Sequence, residues 1–286
     1  MALALITGAS TGIGRASTLR LAGKGWTVLA GVRDPAAGER LLAEVAPPGK
    51  VIPLQLEVTD SLQIEQAVTR VEQESAKGGA SVSGGLDALI NNAGIGVGGP
   101  LELVSQEDLR RQFDVNVLAQ VAVTQALLPA LRRAHGRIVF VSSIGGRVAT
   151  PFLAPYAASK HAVEAIGDAL RVELRSSNIQ VALLEPGSVA TPIWDKARAD
   201  ADAVSIPAEL QAEYGRVPAA MGKALEDTER RGVSPELVAQ TIERALTARR
   251  MKARYLVGTD AKAMLIAKRM LPDRVFDRFI RRALGV

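Results

Sequence analysis

Short, almost wholly apolar segments recur along the chain and alternate with amphipathic segments. Seven of them have the length and composition of strands: 2–7, 27–32, 51–58, 86–91, 137–143, 179–186 and 253–258. Most lack an alternation of polar and apolar residues, which is typical of strands buried on both faces of a parallel sheet. Helical patterns fill the intervals. The alternation predicts a doubly wound α/β domain with a parallel sheet of about seven strands and helices on both faces.

The same pattern sets the expected domain organisation. We predict one domain over residues 1–258, followed by a C-terminal extension over 259–286. Residues 192–233 form a long connection between the sixth and seventh predicted strands. A connection of that length inside a compact domain usually has a function, so we predict that it is a lid.

A glycine-rich segment, TGASTGIG (7–14), follows the first predicted strand and precedes a helix. Gly8, Gly12 and Gly14 allow a tight turn and a close approach of the backbone to a pyrophosphate. The N-terminus of the helix supplies free N–H donors and the positive end of its dipole. The segment therefore predicts a dinucleotide site, although a glycine-rich turn without a ligand is the alternative.

Tyr156 and Lys160 are four residues apart in the segment YAASK. Residues at this spacing share a helix face, and a nearby ammonium favours the phenolate. Lowering a tyrosine pKa from ~10 to ~7 takes about 4 kcal/mol at 1.36 kcal/mol per unit. Ser142 and Ser143 end the fifth predicted strand, where doubly wound sheets place ligands. These residues predict an acid–base pair beside a serine that can donate to a developing alkoxide.

Six segments occur together in one order: TGASTGIG, NNAG (91–94), FDVNV around Asn116, VSSIGG, YAASK and PGSVAT (186–191). In this order and spacing the chain resembles the short-chain dehydrogenase/reductase family over about residues 3–191, and the seventh strand extends the match to about 258. The stretch 143–174 is most similar to the branch that acts on hydroxysteroids and retinoids. The resemblance implies a Rossmann-type fold and hydride transfer between a nicotinamide cofactor and a carbonyl or alcohol.

The resemblance also assigns roles to matching residues. Tyr156 would be the general acid in reduction and the base in the reverse direction, while Lys160 would lower its pKa and bind the nicotinamide ribose. Ser143 is preferred over Ser142 as the donor to the substrate oxygen, and Asn116 would support Lys160 through a water-linked proton path. The expected cofactor-binding residues are Gly8, Ser10, Thr11, Gly12, Ile13, Gly14, Arg33, Glu57, Val58, Asn92, Ala93, Gly94, Tyr156, Lys160, Pro186, Gly187, Val189 and Thr191.

The end of the second predicted strand bears on the choice of cofactor. Val32 stands where the family usually has an acid that selects NAD, and Arg33 follows it. Because a guanidinium fork matches a phosphate dianion, we expect NADP(H). Asp34 could pair with Arg33 or itself face the ribose, so NAD(H) is possible. Glu57, one methylene longer than the family's common aspartate, and Val58 are expected beside the adenine.

Composition excludes several other chemistries. The chain has no cysteine and two histidines, so a zinc site is not expected. The hydrolase motif G-x-S-x-G is absent. The N-terminal segment lacks the features of a signal peptide, and we expect a cytoplasmic protein.

Aromatic and apolar residues near the reactive end predict an apolar pocket beneath the lid. We expect Ser143, Phe152, Tyr156 and Trp194 to bind the substrate, a bulky lipophilic ketone, aldehyde or alcohol. One alternative is a ketoacyl reductase acting on a carrier-protein substrate, and another is a non-catalytic NADP-binding scaffold or sensor. The family often forms homo-dimers or homo-tetramers through the helices that cover 105–134 and 156–177 here.

The net charge of +5 arises entirely in the C-terminal part of the chain. Residues 244–286 contain twelve Lys and Arg against three Asp and Glu. The last segment, 272–286, predicts a basic amphipathic helix that could contact an anionic membrane, cover the substrate entrance or pack at a subunit interface. Packing on its own protein is the favoured prediction. No nucleic-acid recognition motif accompanies the charge, so no nucleic-acid partner is expected.

Overall fold

The computed structural model describes residues 2–77, 84–194 and 206–284, and only the backbone of Trp194 and Glu229. Within this part of the chain, seven strands form one parallel sheet in the order β3-β2-β1-β4-β5-β6-β7. The strands are β1 Leu3–Ile6, β2 Thr27–Val32, β3 Lys50–Gln55, β4 Ala88–Asn91, β5 Arg137–Val141, β6 Gln180–Pro186 and β7 Arg254–Val257. The predicted doubly wound sheet is confirmed.

Helices cover both faces of the sheet, as the continuous apolar strands require. The α-helices are α1 Gly12–Gly23, α2 Pro35–Leu42, α3 Ser61–Ala76, α4 Gln106–Phe113, α5 Ala119–Ala134, α6 Ala154–Glu173, α7 Gln211–Tyr214, α8 Val217–Arg231, α9 Pro235–Thr247, α10 Thr259–Met270 and α11 Asp273–Leu284. Residues of α1, α2 and α9 share one core with alternate strand residues. Residues of α3, α5 and α6 share a second core on the opposite face.

Several strands end one to three residues before the predicted boundaries, because the polar residues at their carboxyl ends do not continue the regular pairing between strands. The fifth strand ends at Val141, and Ser142 and Ser143 follow it. The third strand ends at Gln55, and Glu57 begins a turn in which its carbonyl accepts from the N–H of Asp60 at 3.0 Å. Pro53 lies within that strand, which the edge position permits.

The stretch Gln106–Ala134 is long and apolar enough to cross a membrane by length and composition. Half of its most apolar window is buried, and Val123 and Leu127 pack in the core beneath the sheet. Core helices meet the same criterion of length and composition. The stretch is therefore part of the packed domain.

The predicted lid is largely helical where the structure describes it. Helices α7 and α8 occupy most of residues 211–231, and the N–H of Val233 then donates to the carbonyl of Ser188 at 2.9 Å. Residues 195–205, the beginning of the predicted lid, lie outside the described part of the chain.

The C-terminal segment folds back onto the domain. Phe276 and Ile280 of α11 are buried against Val148, which follows β5, and against Met264 and Leu271. The inner face of α11 thus packs on its own protein, as the sequence favoured.

Candidate active site

A cavity of about 860 Å³ opens at the carboxyl ends of the central strands. Parallel doubly wound sheets place their ligands at this edge. The cavity extends from the turn after β1, past the ends of β4 and β5, to α6 and the loop after β6. Its volume suits a site that holds a cofactor together with a small molecule.

The turn after β1 has the backbone geometry that only glycine accepts easily. Gly8 and Gly12 have φ of +64° and +52°. A Cβ on Gly14 would lie 2.1 Å from the carbonyl oxygen of Gly8 and 2.5 Å from Nδ2 of Asn92. The Thr11 side chain makes no capping hydrogen bond to α1. Ser10, Thr11 and Ile13 line the cavity, so this helix N-terminus can hold an anion.

Asn92 braces this turn from the end of β4. Its Nδ2 donates to the carbonyl oxygens of Thr7 and Gly8, both at 2.9 Å. The hydroxyl of Thr7 accepts from the N–H groups of Asn92 and Ala93, also at 2.9 Å. The NNAG segment therefore fixes the shape of the turn, and its residues Asn92, Ala93 and Gly94 line the cavity beyond it. Nothing in the sequence predicted the two hydrogen bonds that the Thr7 hydroxyl accepts.

The residues expected to select the cofactor lie at the rim. Arg33 is 77 % exposed in its side chain, and its Nε lies 4.0 Å from Oε2 of Glu57. Asp34 instead caps α2, accepting from the N–H of Ala36 at 3.0 Å, and its carboxylate lies 3.6 Å from Arg40. The possible pairing of Asp34 with Arg33 is not formed in this structure. Arg33, Glu57 and Val58 all line the cavity.

Tyr156 and Lys160 lie buried on one face of α6, with Lys160 only 3 % exposed. Nζ of Lys160 donates to the carbonyl oxygen of Val141 at 2.8 Å and lies 5.8 Å from the centroid of the Tyr156 ring. Burial lowers the pKa of Lys160 to about 8, and Glu164 opposes that change. Burial raises the pKa of Tyr156, opposed by a hydrogen bond with Ser143. The direction for Tyr156 is opposite to the sequence expectation, because desolvation of the phenolate dominates here.

Of the two serines after β5, Ser143 is the one that meets the tyrosine. Its Oγ also accepts from the N–H of Gly145 at 3.0 Å. Gly145 itself lies beside the ring, since a Cβ there would be 3.3 Å from Cε1 of Tyr156. Ser142 instead lies beside Glu164, two helical turns along α6 from Tyr156. The geometry agrees with the preference for Ser143.

Asn116 lies in a π-helical turn, Asp114–Leu118, between α4 and α5. Its Oδ1 accepts from the N–H of Ile95 at 2.8 Å, and its Nδ2 donates to the carbonyl of Ile95 at 3.0 Å and to Oγ of Ser159. A Cβ on Gly94 would lie 3.4 Å from Oδ1 of Asn116 and 3.8 Å from Nζ of Lys160. Asn116 is thus held next to the lysine. Single π turns are frequent at functional sites, but nothing in the sequence indicated this one.

The other half of the cavity is more apolar. Phe152 has φ of +67°, and its carbonyl accepts from the N–H of Gly99 at 2.7 Å. A Cβ on Gly98 would lie 2.7 Å from Cε of Met221, so the lid helix α8 rests on this loop. The lining continues with Val148, Leu153, Ile193, Ala220, Leu225, Met264 and Leu284. The Trp194 side chain, predicted to bind substrate, lies outside the described part of the chain.

The loop after β6 closes the site. Pro186, Gly187, Val189 and Thr191 line the cavity, and a Cβ on Gly12 would lie 3.0 Å from Cγ2 of Thr191. Asp260, at the start of α10, accepts from the N–H of Ser188 at 2.7 Å. Nothing in the sequence indicated this contact, which connects the C-terminal segment to the predicted cofactor loop.

Comparisons with known proteins identify the family to which the chain belongs. The sequence profile of the short chain dehydrogenase family matches residues 2–202. The chain is similar to the NADPH-dependent 3-dehydrocapnine reductase of Ornithobacterium rhinotracheale, with 36 % identity over 97 % of this chain and 95 % of that protein. It is 35 % identical to mouse (Mus musculus) retinol dehydrogenase 5 over 96 % and 86 % of the two chains. A crystal structure of a 3-ketoacyl-ACP reductase from Sinorhizobium meliloti superposes with a TM-score of 0.73 at 30 % identity, covering 92 % of this chain and 99 % of that one.

Proposed function

The chain belongs to the short-chain dehydrogenase family, in its retinol dehydrogenase-like branch, and from this premise we propose an NADP(H)-dependent oxidoreductase. It would interconvert a lipophilic ketone or aldehyde and its alcohol, with Tyr156 as general acid and base. The observation that carries the proposal is the buried group of Ser143, Tyr156 and Lys160 on the wall of a cavity that begins at a glycine-rich turn.

The residues of the cavity fit a nicotinamide dinucleotide. The turn around Gly8 and Gly12 leaves no room for side chains, and the uncapped N-terminus of α1 can accept a pyrophosphate. Thr191 and Lys160 line the same cavity, Thr191 against Gly12 and Lys160 beside Tyr156. When bound, the cofactor supplies or accepts the hydride.

The proton chemistry follows from the state of the tyrosine. Because burial raises its pKa, Tyr156 carries its proton at neutral pH, as a general acid for carbonyl reduction must. Ser143, hydrogen-bonded to Tyr156, can donate to the same substrate oxygen. Lys160 holds a positive charge nearby that favours the phenolate left after proton transfer. The same groups would take the proton back during alcohol oxidation.

Two observations support NADP(H). Arg33 is exposed at the rim, and among the described residues its nearest ion pair is the 4.0 Å approach of Glu57, so its guanidinium can donate to a phosphate. The similar 3-dehydrocapnine reductase is NADPH-dependent by name. The lipophilic substrate is supported by the apolar lining around Phe152 and Met221 and by the similarity to a retinol dehydrogenase.

A second candidate is a ketoacyl reductase acting on a carrier-protein substrate. The structural likeness to a 3-ketoacyl-ACP reductase favours it, and an acidic carrier would complement the basic C-terminal part. A non-catalytic scaffold or sensor is disfavoured by the intact serine, tyrosine and lysine. The two catalytic candidates are distinguished by measuring the reduction of free lipophilic carbonyl compounds and of ketoacyl groups attached to a carrier protein.

We also propose that the outer face of α11 contacts an anionic membrane. Val275 and Phe279 are about half exposed and lie among Arg274, Arg278 and Arg282. An exposed apolar pair within a basic face is the arrangement of interfacial helices. Leu284, at the end of the same helix, lines the substrate half of the cavity, which would bring a lipid-dissolved substrate close to its site.

Replacing the phenol tests the central proposal. Tyr156→Phe should lower carbonyl reduction by at least about 10³-fold, because it removes the general acid, while NADPH binding is retained. NADPH-consumption assays and fluorescence titration measure the two properties. Tyr255→Phe is the control, because it also removes a single buried hydroxyl, here one that accepts from the N–H of Lys252, away from the cavity. Wild-type turnover in Tyr156→Phe would refute the assignment.

A further inference from the structure

A cluster of charged side chains lies directly behind the predicted catalytic lysine. Arg254 on β7 donates from Nε to Glu164 at 2.9 Å, and the same Nε lies 3.0 Å from Glu185 on β6. Its Nη2 donates to Asp168 at 2.6 Å. Arg147, after β5, donates to Glu185 at 2.9 Å. Glu164 and Glu185 are both almost fully buried, so their charges must be balanced within the cluster.

Glu164 connects this cluster to the site. It follows Lys160 by one helical turn on α6, so the two side chains share a face. Its Oε1 and Oγ of Ser142, the neighbour of Ser143, are both buried without a hydrogen-bond partner among the described residues, and Ser142 lies close enough to Glu164 to lower its pKa. Gly146 makes the approach possible, because a Cβ there would lie 2.9 Å from Oγ of Ser142 and 3.0 Å from Cγ of Glu164.

The partners of Glu164 suit both its ionised and its protonated form. One of its oxygens is paired with Arg254, but that guanidinium is shared with Glu185 and Asp168. Near the other oxygen there is only the hydroxyl of Ser142, which can accept a hydrogen bond from a carboxylic acid as readily as it can donate one to a carboxylate. Burial, and then the charge of Glu185, raise the pKa of Glu164, while Ser142 and Arg254 oppose the change.

We propose that Glu164 is a positioning residue whose proton controls how much positive charge Lys160 offers to Tyr156. The inference rests on the proposed function of Tyr156 and Lys160. When Glu164 is protonated, Lys160 is the charged group on α6 that lies nearest to the phenol, and its full positive charge acts on the phenol. With Glu164 ionised, the carboxylate supports the ammonium form of Lys160 and extends it to higher pH. The charged groups that face Glu164 are Lys160 and Asp168 on α6, Glu185 on β6 and Arg254 on β7, with Arg147 behind Glu185.

The pH profile of turnover tests this role. Glu164→Gln keeps the shape of the side chain but removes the charge that opposes the lowered pKa of Lys160. The alkaline limb of kcat should therefore move to lower pH by about half a unit to one unit. At acidic pH, where Glu164 itself is protonated, the two profiles should coincide apart from a constant factor. Asp168→Asn is the matched control, since it also loses a bond to Arg254 but lies two turns from Lys160, and its alkaline limb should not move.

A second variant keeps the inference testable if Glu164→Gln does not fold. Ser142→Ala removes the hydroxyl that helps Glu164 to ionise. The pH above which the charge of Glu164 supports Lys160 should therefore rise, while the alkaline limb of kcat should stay in place. Thermal unfolding distinguishes this positioning role from a purely structural one. If the role were purely structural, the substitution would lower Tm and reduce kcat equally at every pH. A Glu164→Gln profile parallel to the wild-type profile would overturn the inference while leaving the proposed function intact. An inactive wild-type protein would instead count against the proposed function.

Discussion

Lys160 shows that burial strongly affects the pKa values of a tyrosine and a lysine four residues apart. The spacing in YAASK correctly places the ammonium and the phenol on one helix face. It does not reveal that Lys160 donates to the carbonyl of Val141, or that desolvation affects both pKa values more than their mutual attraction does. The proximity was therefore predictable from the sequence, whereas the sign of the tyrosine's pKa shift depended on the packing around it.

The selectivity of Arg33 is a prediction at the same scale. Arg33→Ala should raise the Kd for NADPH by about 10- to 100-fold, because a hydrogen-bonded charge pair contributes about 1.5–3 kcal/mol. The Kd for NADH should change little. Isothermal titration with both cofactors measures the difference. Arg40→Ala is the control, since Arg40 is similarly exposed and pairs with Asp34 instead. Equal losses for both cofactors in Arg33→Ala would show that Arg33 does not contact the 2′-phosphate.

At the scale of elements, the turn between β1 and α1 offers a matched pair of glycines. Gly14→Ala should weaken NADPH binding by at least about tenfold and lower Tm, because its Cβ would lie 2.1 Å from the carbonyl oxygen of Gly8. In Gly23→Ala, in the same helix, the added Cβ has no described residue within 4 Å. This substitution should leave binding unchanged and raise stability slightly, by about 0.5–1 kcal/mol. Fluorescence titration and thermal unfolding measure both effects. Tight NADPH binding by Gly14→Ala would show that the turn does not need this close approach.

The same scale shows which elements the sequence could specify. Strands such as β2 and β5 were predicted within two residues, because continuous apolar runs have no stable place except inside the sheet. The π turn at Asn116 was not predictable, since it depends on the amide's two bonds to Ile95 from a distant loop. The helices within the lid were predicted as a long connection without helices, because α8 is only weakly apolar and its contact with the loop at Gly98, through Met221, is not visible in the sequence.

For the whole molecule, the uneven charge distribution leads to a prediction about surfaces. The protein should sediment with vesicles that contain anionic phospholipid, and less so with neutral vesicles or at high salt. Val275→Ser combined with Phe279→Ser should reduce this binding by about tenfold or more, because it removes the apolar contact. Leu62→Ser is the control, as Leu62 is 66 % exposed on α3, away from the basic face. Undiminished sedimentation of the double variant would eliminate this contact.

The division of the cavity between segments has a consequence for how such enzymes diversify. The dinucleotide part is lined by residues from the turns after β1, β2, β3 and β4 and from the loop after β6, and the apolar part by residues after β5, the lid and the C-terminal helices. Tyr156 and Lys160 lie where the two parts meet. Mutations that exchange one cofactor for another are thus separated along the chain from mutations that admit a new carbonyl compound. A lineage can therefore recruit a new metabolite by remodelling the lid and the C-terminal helices while inheriting the residues that select the cofactor unchanged.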